Sequence, residues 1–208
     1  TDDDCRARSD WLRQITVHCR ATPEHIIGGR TIKLLQDNYF SRTSQLIVDA
    51  VYDYYNLGVN GPLFFASNNL VVPVALFRRV GGLNSEFITA EDRDLCDRWL
   101  ARGYRMTYAP EALVYHAHSL NLRTFYRQHL NYGRGAFRFH RARAQRRSGP
   151  FKPDLKFYFH CFRAPFRNRQ RHPAVLPLLV IWQIANTAGF VVEWMAQKSA
   201  KRQIGEAA

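Results

Sequence analysis

The chain has 208 residues, of which 46% are hydrophobic and 13% aromatic, enough for one well-packed domain and not typical of a disordered polypeptide. Its formal net charge is +13, from 30 Lys and Arg against 17 Asp and Glu. The excess is local, because residues 119–172 contain 14 of the basic residues and a single acid, Asp154. Such a concentration favours contact with phosphate, in nucleic acid, in lipid headgroups or in a nucleotide.

The cysteines and the short motifs exclude several classes of site. The four cysteines are scattered singly, without CxxC or Cys/His zinc spacing, which is typical of a protein in a reducing compartment. The sequence contains no GxGxxG, GxxxxGK[ST], HExxH or GxSxG motif. The candidates for chemistry are therefore groups of acids and histidines.

Helical and strand-like segments alternate along the chain. Apolar spacing and breaker residues predict these elements in the first half: helices over 10–20, 39–55 and 73–81, and strands within 23–35 and at 63–66. In the second half they predict a helix over 89–102, strands at 104–108 and 113–118 around a turn at Pro110-Glu111, and a long basic helix from 121 to about 146 that Gly133 and Gly135 interrupt.

Residues 173–196 form an apolar segment long enough to span a bilayer. Polar residues such as Asn186 and Glu193 weaken that interpretation, since polar groups in hydrocarbon are costly. Trp182 and Trp194, with basic residues on both sides, suit a helix that lies at a membrane interface. The alternative is a helix that packs on the domain or on a partner protein.

Three consecutive acids, Asp2, Asp3 and Asp4, come at the start of the sequence. Asp2 and Asp4 could reach one cation, because residues two apart in an extended or turn segment point the same way. Carboxylate oxygens are the ligands that Mg²⁺ and Mn²⁺ prefer. On spacing alone, a solvated turn or a cap for the next helix is the favoured explanation of these acids.

A second acidic group, Glu91 and Asp92, follows Thr89. With Thr89 as N-cap, Asp92 would occupy the third helical position, as in a capping box. The functional alternative is a general base, since a carboxylate at a helix start that faces a pocket can accept a proton from an attacking hydroxyl.

Two alternating histidines, His116 and His118, end the last predicted strand. Both imidazoles would face one side of a regular strand. They are therefore either structural or metal ligands.

These groups, in this order, resemble the family 2 glycosyltransferases with the GT-A fold. The similar segments are TDDDCRARSDWL at 1–12 (the aspartate motif), residues 67–69 and 77–87 (the acceptor-side loop and the VGGFDE-F turn), AEDRDLC at 90–96 (the ED motif), 103–105 and 108–116 (the strands that end at a metal histidine) and YGRG at 132–135. The likeness covers roughly residues 1–140.

The resemblance implies a role for each candidate. Asp2 and Asp4, with Asp3 beside them, and His116 would hold Mg²⁺ or Mn²⁺ on the diphosphate of a nucleotide sugar. Asp92 would deprotonate the acceptor hydroxyl, which attacks the anomeric carbon with inversion. The acceptor contacts would be Glu91 and Asn68. His118 is the less favoured metal ligand.

The resemblance also implies that the N-terminal nucleotide-binding half of the domain is missing. The chain lacks an initiator Met and begins directly at the acids, so we expect a partial GT-A (Rossmann-like) α/β domain that would need roughly 90 to 100 more residues before Thr1. Alone, this chain is expected to bind nucleotide poorly and to be inactive. We divide it into a catalytic half at 1–140, a basic region at 141–172 and a hydrophobic, membrane-associated helix at 173–208.

The expected partners are a nucleotide-sugar donor, a glycan or lipid-linked acceptor and an anionic membrane surface at the cytoplasmic face. The Gln-x-x-Arg-Trp motif of processive members is absent, since Arg127-Gln128-His129-Leu130-Asn131 stands in that neighbourhood, which favours addition of a single sugar. Nucleic acid is the disfavoured partner, although aromatic residues do interleave with the basic residues of 119–172. A non-catalytic membrane or partner adaptor is the third hypothesis.

Overall fold

The computed structural model of the protein describes residues 1–34, 38–58, 61–117, 119–149, 151–167 and 174–206, with side chains described up to residue 200. The elements in chain order are β1 (Cys5–Ala7), α1 (Trp11–Ala21), β2 (Ile26–Lys33), α2 (Tyr39–Asn56), β3 (Leu70–Val71), α3 (Val74–Arg79), α4 (Glu91–Ala101), β4 (Met106–His116), α5 (Leu122–Arg146), α6 (Leu155–Arg167) and α7 (Val175–Glu206). A single 3-10 turn, Ser67–Asn69, precedes β3.

Four strands form one mixed sheet in the order β1-β4-β2-β3. β2 and β4 are parallel, whereas β1 pairs antiparallel with β4, and β3 pairs antiparallel with β2. The predicted α/β class is confirmed. The antiparallel pairing of β1 with β4 brings the start of the chain beside the end of the last strand.

The two strands predicted at 104–108 and 113–118 are in fact one strand, β4, so that prediction was wrong. The pairing register between β2 and β4 shifts after Gly29, which lies opposite Ala109, to Arg30, which lies opposite Leu113. Pro110 and its two successors therefore bulge out of the ladder, where the missing N–H group of a proline is tolerated. The bulge takes the place of the predicted turn.

The strand predicted at 63–66 was also wrong. This segment has no regular secondary structure, and within the described residues it pairs with no strand. Phe65 is fully buried against β2, where a Cβ atom on Gly28 would lie 2.0 Å from the phenyl ring. Side-chain burial on a glycine, and not backbone pairing, explains the apolar run.

The sheet has a helical layer on each face. Ile27 and Ala109 pack with Ile15 of α1 on one face, and Ile26 and Met106 pack with α3 and α4 on the other. Alternate residues of β2 thus point into two separate cores, as expected for a strand that is covered on both sides.

The helices α2, α5, α6 and α7 enclose a further core, which includes Phe125, Cys161 and Trp182. The long helix α5 runs without a break, so the interruption predicted at Gly133 and Gly135 was wrong. A Cβ atom on Gly133 would lie 2.0 Å from the Asn186 carbonyl oxygen, and one on Gly189 would lie 1.9 Å from that of Leu130. The glycines let α5 and α7 approach closely.

The predicted division at residue 141 falls inside α5, and the one at 173 falls outside the described residues.

Candidate active site

The pairing of β1 with β4 places three possible metal ligands together. Cys5 lies opposite His116 in the register, and the Asp4 carbonyl accepts a hydrogen bond of 2.9 Å from the Ala117 N–H. The Nε2 atom of His116 lies 2.9 Å from Oδ2 of Asp4. One ligand atom each from Asp4, Cys5 and His116 falls within 4.8 Å of the others. This donor set is suited to a divalent cation.

The remaining predicted ligands are placed differently. Asp2 is exposed and lies outside the group of three, and its carbonyl accepts a hydrogen bond of 3.2 Å from the Cys5 N–H in a turn. Asp3 is exposed in the same turn. His118 lies outside the described residues. The sequence analysis missed Cys5, which the strand pairing with His116 would have indicated had β1 been recognised.

The start of α4 differs from the predicted capping box. The residue before the helix is Ala90, in the left-handed region with φ 70°, and no side chain caps the helix. The hydroxyl of Thr89 donates instead to the Asn131 carbonyl of α5, at 2.9 Å. Asp92 is therefore the second helical residue, and its carboxylate is not engaged in the predicted cap.

Asp92 lies in a partly buried position between α4 and the Ser67–Asn69 turn. Its Oδ2 atom accepts a hydrogen bond of 3.1 Å from the Ser67 N–H, and Oδ1 accepts one of 2.7 Å from its neighbour Arg93. Burial, with the nearby charge of Glu91, raises the pKa of Asp92 to about 6. A carboxylate with such a pKa is ionised at neutral pH and is a better proton acceptor than an ordinary aspartate.

The two predicted acceptor contacts have different surroundings. Oε2 of Glu91 is buried and has no hydrogen-bond partner among the described residues. A buried carboxylate oxygen without a partner is costly, and a ligand hydroxyl would satisfy it. Asn68 uses its Oδ1 to accept a hydrogen bond of 3.0 Å from the Thr31 hydroxyl.

Asn69, which the sequence analysis did not single out, holds the bulge of β4. Its side-chain amide donates to the carbonyls of Arg30 and Ala112, at 3.0 and 2.8 Å, and its Oδ1 accepts from the Trp11 indole at 2.9 Å. These two carbonyls flank the register shift, so the amide compensates for the ladder bonds that the bulge removes.

The phenol of Tyr132 on α5 is influenced by acids of both acidic groups. Burial, followed by the charges of Asp92, Asp2 and Glu91, raises the pKa of its phenol to about 12. Tyr132 is about half exposed, and the charges of both the N-terminal turn and the start of α4 act on its phenol. A phenol with this pKa stays protonated and can donate a hydrogen bond into the site.

Ion pairs of a buried aspartate fix the position of α4. Asp94 is fully buried and is bound by Arg98 at 2.7 Å and by Arg146 of α5 at 2.8 Å. Arg98 also donates to the carbonyls of Val80 and Gly82, at 2.6 Å each. Part of the basic stretch is thus used inside the fold, which the count of charges did not reveal.

The sequence model of glycosyl transferase family group 2 matches residues 1–195. Among curated proteins, the chain is similar to the pre-mycofactocin glycosyltransferase of Mycobacterium tuberculosis, with 29% identity over 144 residues, 65% of this chain and 30% of that protein. It is also similar to the O-antigen chain rhamnosyltransferase WbaN of Salmonella anatum, with 26% identity over 114 residues, 55% of this chain and 35% of that protein.

The chain therefore spans about a third of the length of these relatives. Among solved structures, the mannosyltransferase PcManGT from Pyrobaculum calidifontis, in complex with GDP-Man and Mn²⁺, has a TM-score of 0.43 and 15% identity, over 93% of this chain and 51% of that one. That likeness is too low to argue from. The match over residues 1–195 is sufficient by itself: the chain belongs to glycosyl transferase family group 2.

Proposed function

We propose that the chain is the acceptor-side, catalytic part of an inverting glycosyltransferase that moves a sugar from a nucleotide sugar to an acceptor hydroxyl. Family membership supports sugar transfer. The observation that carries the rest is the environment of Asp92, whose pKa burial raises to about 6 beside a buried Glu91 oxygen without a described partner. Acids with raised pKa values in such surroundings are typical of general bases.

The reaction is a single displacement. The Asp92 carboxylate takes the proton of the acceptor hydroxyl, and the oxygen attacks the anomeric carbon as the bond from that carbon to the diphosphate breaks. Since attack and departure occur on opposite faces, the configuration inverts. The hydrogen bond from the Ser67 N–H fixes the carboxylate that receives the proton.

Asp4 and His116 fit a divalent cation, because carboxylate and imidazole donors already lie 2.9 Å apart. We propose Mg²⁺ or Mn²⁺, with Asp2 and Asp3 of the adjoining turn at the edge of the cofactor site. When bound, the ion offsets negative charge on the leaving diphosphate. Cys5 lies in the same group, but it is not proposed as a ligand, because Mg²⁺ and Mn²⁺ prefer oxygen donors to a soft thiol.

Glu91 and Asn68 are proposed to contact the acceptor. The unpartnered oxygen of Glu91 is suited to accept a hydrogen bond from a second sugar hydroxyl. The O-antigen rhamnosyltransferase among the relatives supports a glycan acceptor, free or lipid-linked.

We place the protein at the cytoplasmic face of a membrane. By length and composition α7 could cross a bilayer over Val175–Ala200, with a third of its most apolar window buried in the fold. Because Glu193 of α7 is paired with Arg134 and Arg138 of α5, the helix would have to leave α5 to span the membrane. We therefore propose that it lies on an anionic surface. Internal pairing of these arginines also argues against nucleic acid as the partner.

The substitution Asp92→Asn tests this function in a polypeptide of the relatives' full length that contains these residues. It removes the proton acceptor and keeps the shape, so transfer should fall by about 10²- to 10⁴-fold. Product formation is followed with a radiolabelled nucleotide sugar. Wild-type turnover in the variant would eliminate Asp92 as the base.

The matched measurement is Mn²⁺-dependent binding of the nucleotide, by calorimetry, in the same variant. Because Asp92 is placed on the acceptor side, the affinity should stay within about twofold of wild type. A parallel loss of binding and transfer would assign Asp92 to the donor site instead.

A further inference from the structure

The segment from Leu83 to Ala90, here called the 83–90 loop, joins the Gly81-Gly82 turn to the helix that carries Asp92. It contains no helix or strand. We propose that Arg138 of α5 and Glu193 of α7 are positioning residues, which brace this loop and through it Asp92. The role of these two residues in positioning Asp92 rests on the proposed function. The contacts of Arg138 and Glu193 that support the loop, here called the brace, do not depend on it.

Arg138 makes the direct contact with the loop. Its Nη1 atom donates to the Glu86 carbonyl at 2.7 Å, and its Nε atom donates to Oε1 of Glu193 at 2.8 Å. One guanidinium thus joins the backbone of the loop to the C-terminal helix. The planar group with several fixed donors suits such a double contact.

Glu193 determines the position of that guanidinium. It is only 3% exposed, although it lies on an apolar helix. Its carboxylate also accepts from Arg134 at 3.0 Å and from the Gln197 amide at 2.9 Å. A buried carboxylate with three donors is fixed in place, and the loss of its charge would leave two arginines without their acceptor.

The end of the loop is fixed by a second contact with α5. Thr89 donates to the Asn131 carbonyl, and a Cβ atom on Gly135 would lie 2.3 Å from the Thr89 hydroxyl oxygen. The next residue, Ala90, has the left-handed φ of 70° that L residues seldom adopt without support. Glu91 and Asp92 follow directly.

The contacts form one chain from α7 to the proposed base. α7 lies against α5 at Gly133 and Gly189, α5 holds the loop at Glu86 and Thr89, and the loop sets the start of α4. The C-terminal helix, which the sequence predicts as a membrane element, is therefore also part of the support of the catalytic residue.

The two arginines provide a matched pair for the test, since both bind Glu193 but only Arg138 is seen to hydrogen-bond the loop. The readout is hydrogen–deuterium exchange of peptides that cover 84–90, in the protein without substrate. In Arg138→Gln these amides should exchange about tenfold faster, as expected for loss of a charged hydrogen bond. In Arg134→Gln they should stay within about twofold of wild type.

Unchanged exchange in Arg138→Gln, or equal acceleration in both variants, would overturn the brace. Should Arg138→Gln not fold, Arg138→Lys replaces it, because a single ammonium keeps the charge but not both contacts. Ser199→Ala on α7, whose hydroxyl bonds only its own helix at Met195, should exchange as wild type does. The exchange result stands even if Asp92 is not the base. The link to Asp92 is tested by kinetics in a polypeptide of the relatives' full length: Arg138→Gln should lower kcat by about tenfold while the KM for the donor stays within about twofold, and an unchanged kcat would show that the brace does not position Asp92.

Discussion

Asn68 and Asn69 are neighbours in the sequence, but their side chains form different hydrogen bonds. Asn69 is fully buried and satisfies two backbone carbonyls and an indole. Among the described residues, Asn68 makes one side-chain hydrogen bond, which it accepts from the Thr31 hydroxyl, and it does not bond the bulge. Asn69 is therefore a residue of the fold, whereas Asn68 is the one for which we propose a contact with the acceptor.

We predict that Asn69→Ala destabilises the protein by about 2 kcal/mol or more, because it leaves two buried carbonyls without donors. Asn68→Ala should cost about 1 kcal/mol or less but should raise KM for the acceptor. Urea denaturation measures the first effect and steady-state kinetics the second. Equal destabilisation by both substitutions would contradict this assignment.

The elements β4 and α5 show what could be predicted from the sequence. Apolar periodicity located both, whereas the α/β class was implied by the family resemblance. The sequence pattern did not predict that Pro110 would be accommodated in a bulge, because the compensating hydrogen-bond donor, Asn69, is distant in sequence. It did not predict that Gly133 would lie in a continuous helix, because the reason is its contact with α7.

The candidate site was predictable to a similar degree. Asp4 and His116 were named from the order of motifs, and the structure places them together. Cys5, Tyr132 and Glu193 were missed, because their relation to the site depends on strand register and on helix packing. Local sequence carries the chemistry of a residue, whereas its partners are determined by the tertiary fold.

At the scale of the whole molecule, α7 has two different faces. One is buried on α5 and α6, with Leu178, Trp182 and Glu193. The other exposes apolar residues one or two turns apart, which are Leu176, Val180, Ile184 and Val191. An exposed apolar stripe next to a strongly basic stretch is typical of a surface that binds anionic lipid.

We predict that the double substitution Val180→Ser, Ile184→Ser lowers binding to phosphatidylglycerol vesicles by about tenfold or more, because each substitution removes an apolar group from the exposed face proposed to bind lipid. Cosedimentation measures the bound fraction. Leu12→Ser on α1, which is 69% exposed, is the matched control and should bind as wild type does. If the double variant binds as well as wild type, or if wild type binds neutral vesicles as well as anionic ones, this face of α7 is not a binding surface for anionic lipid.

The most direct test of Asp92 as the base is the pH dependence of sugar transfer in a polypeptide of the relatives' full length that contains these residues. Asp92, with a pKa of about 6, accepts a proton only when ionised, so kcat/KM should fall about tenfold per pH unit below pH 6 and level off above it. The residual rate of Asp92→Asn should lack this acid limb. A wild-type rate that stays constant from pH 7 to pH 5, or an acid limb that persists in the variant, would contradict the assignment of Asp92 as the catalytic base.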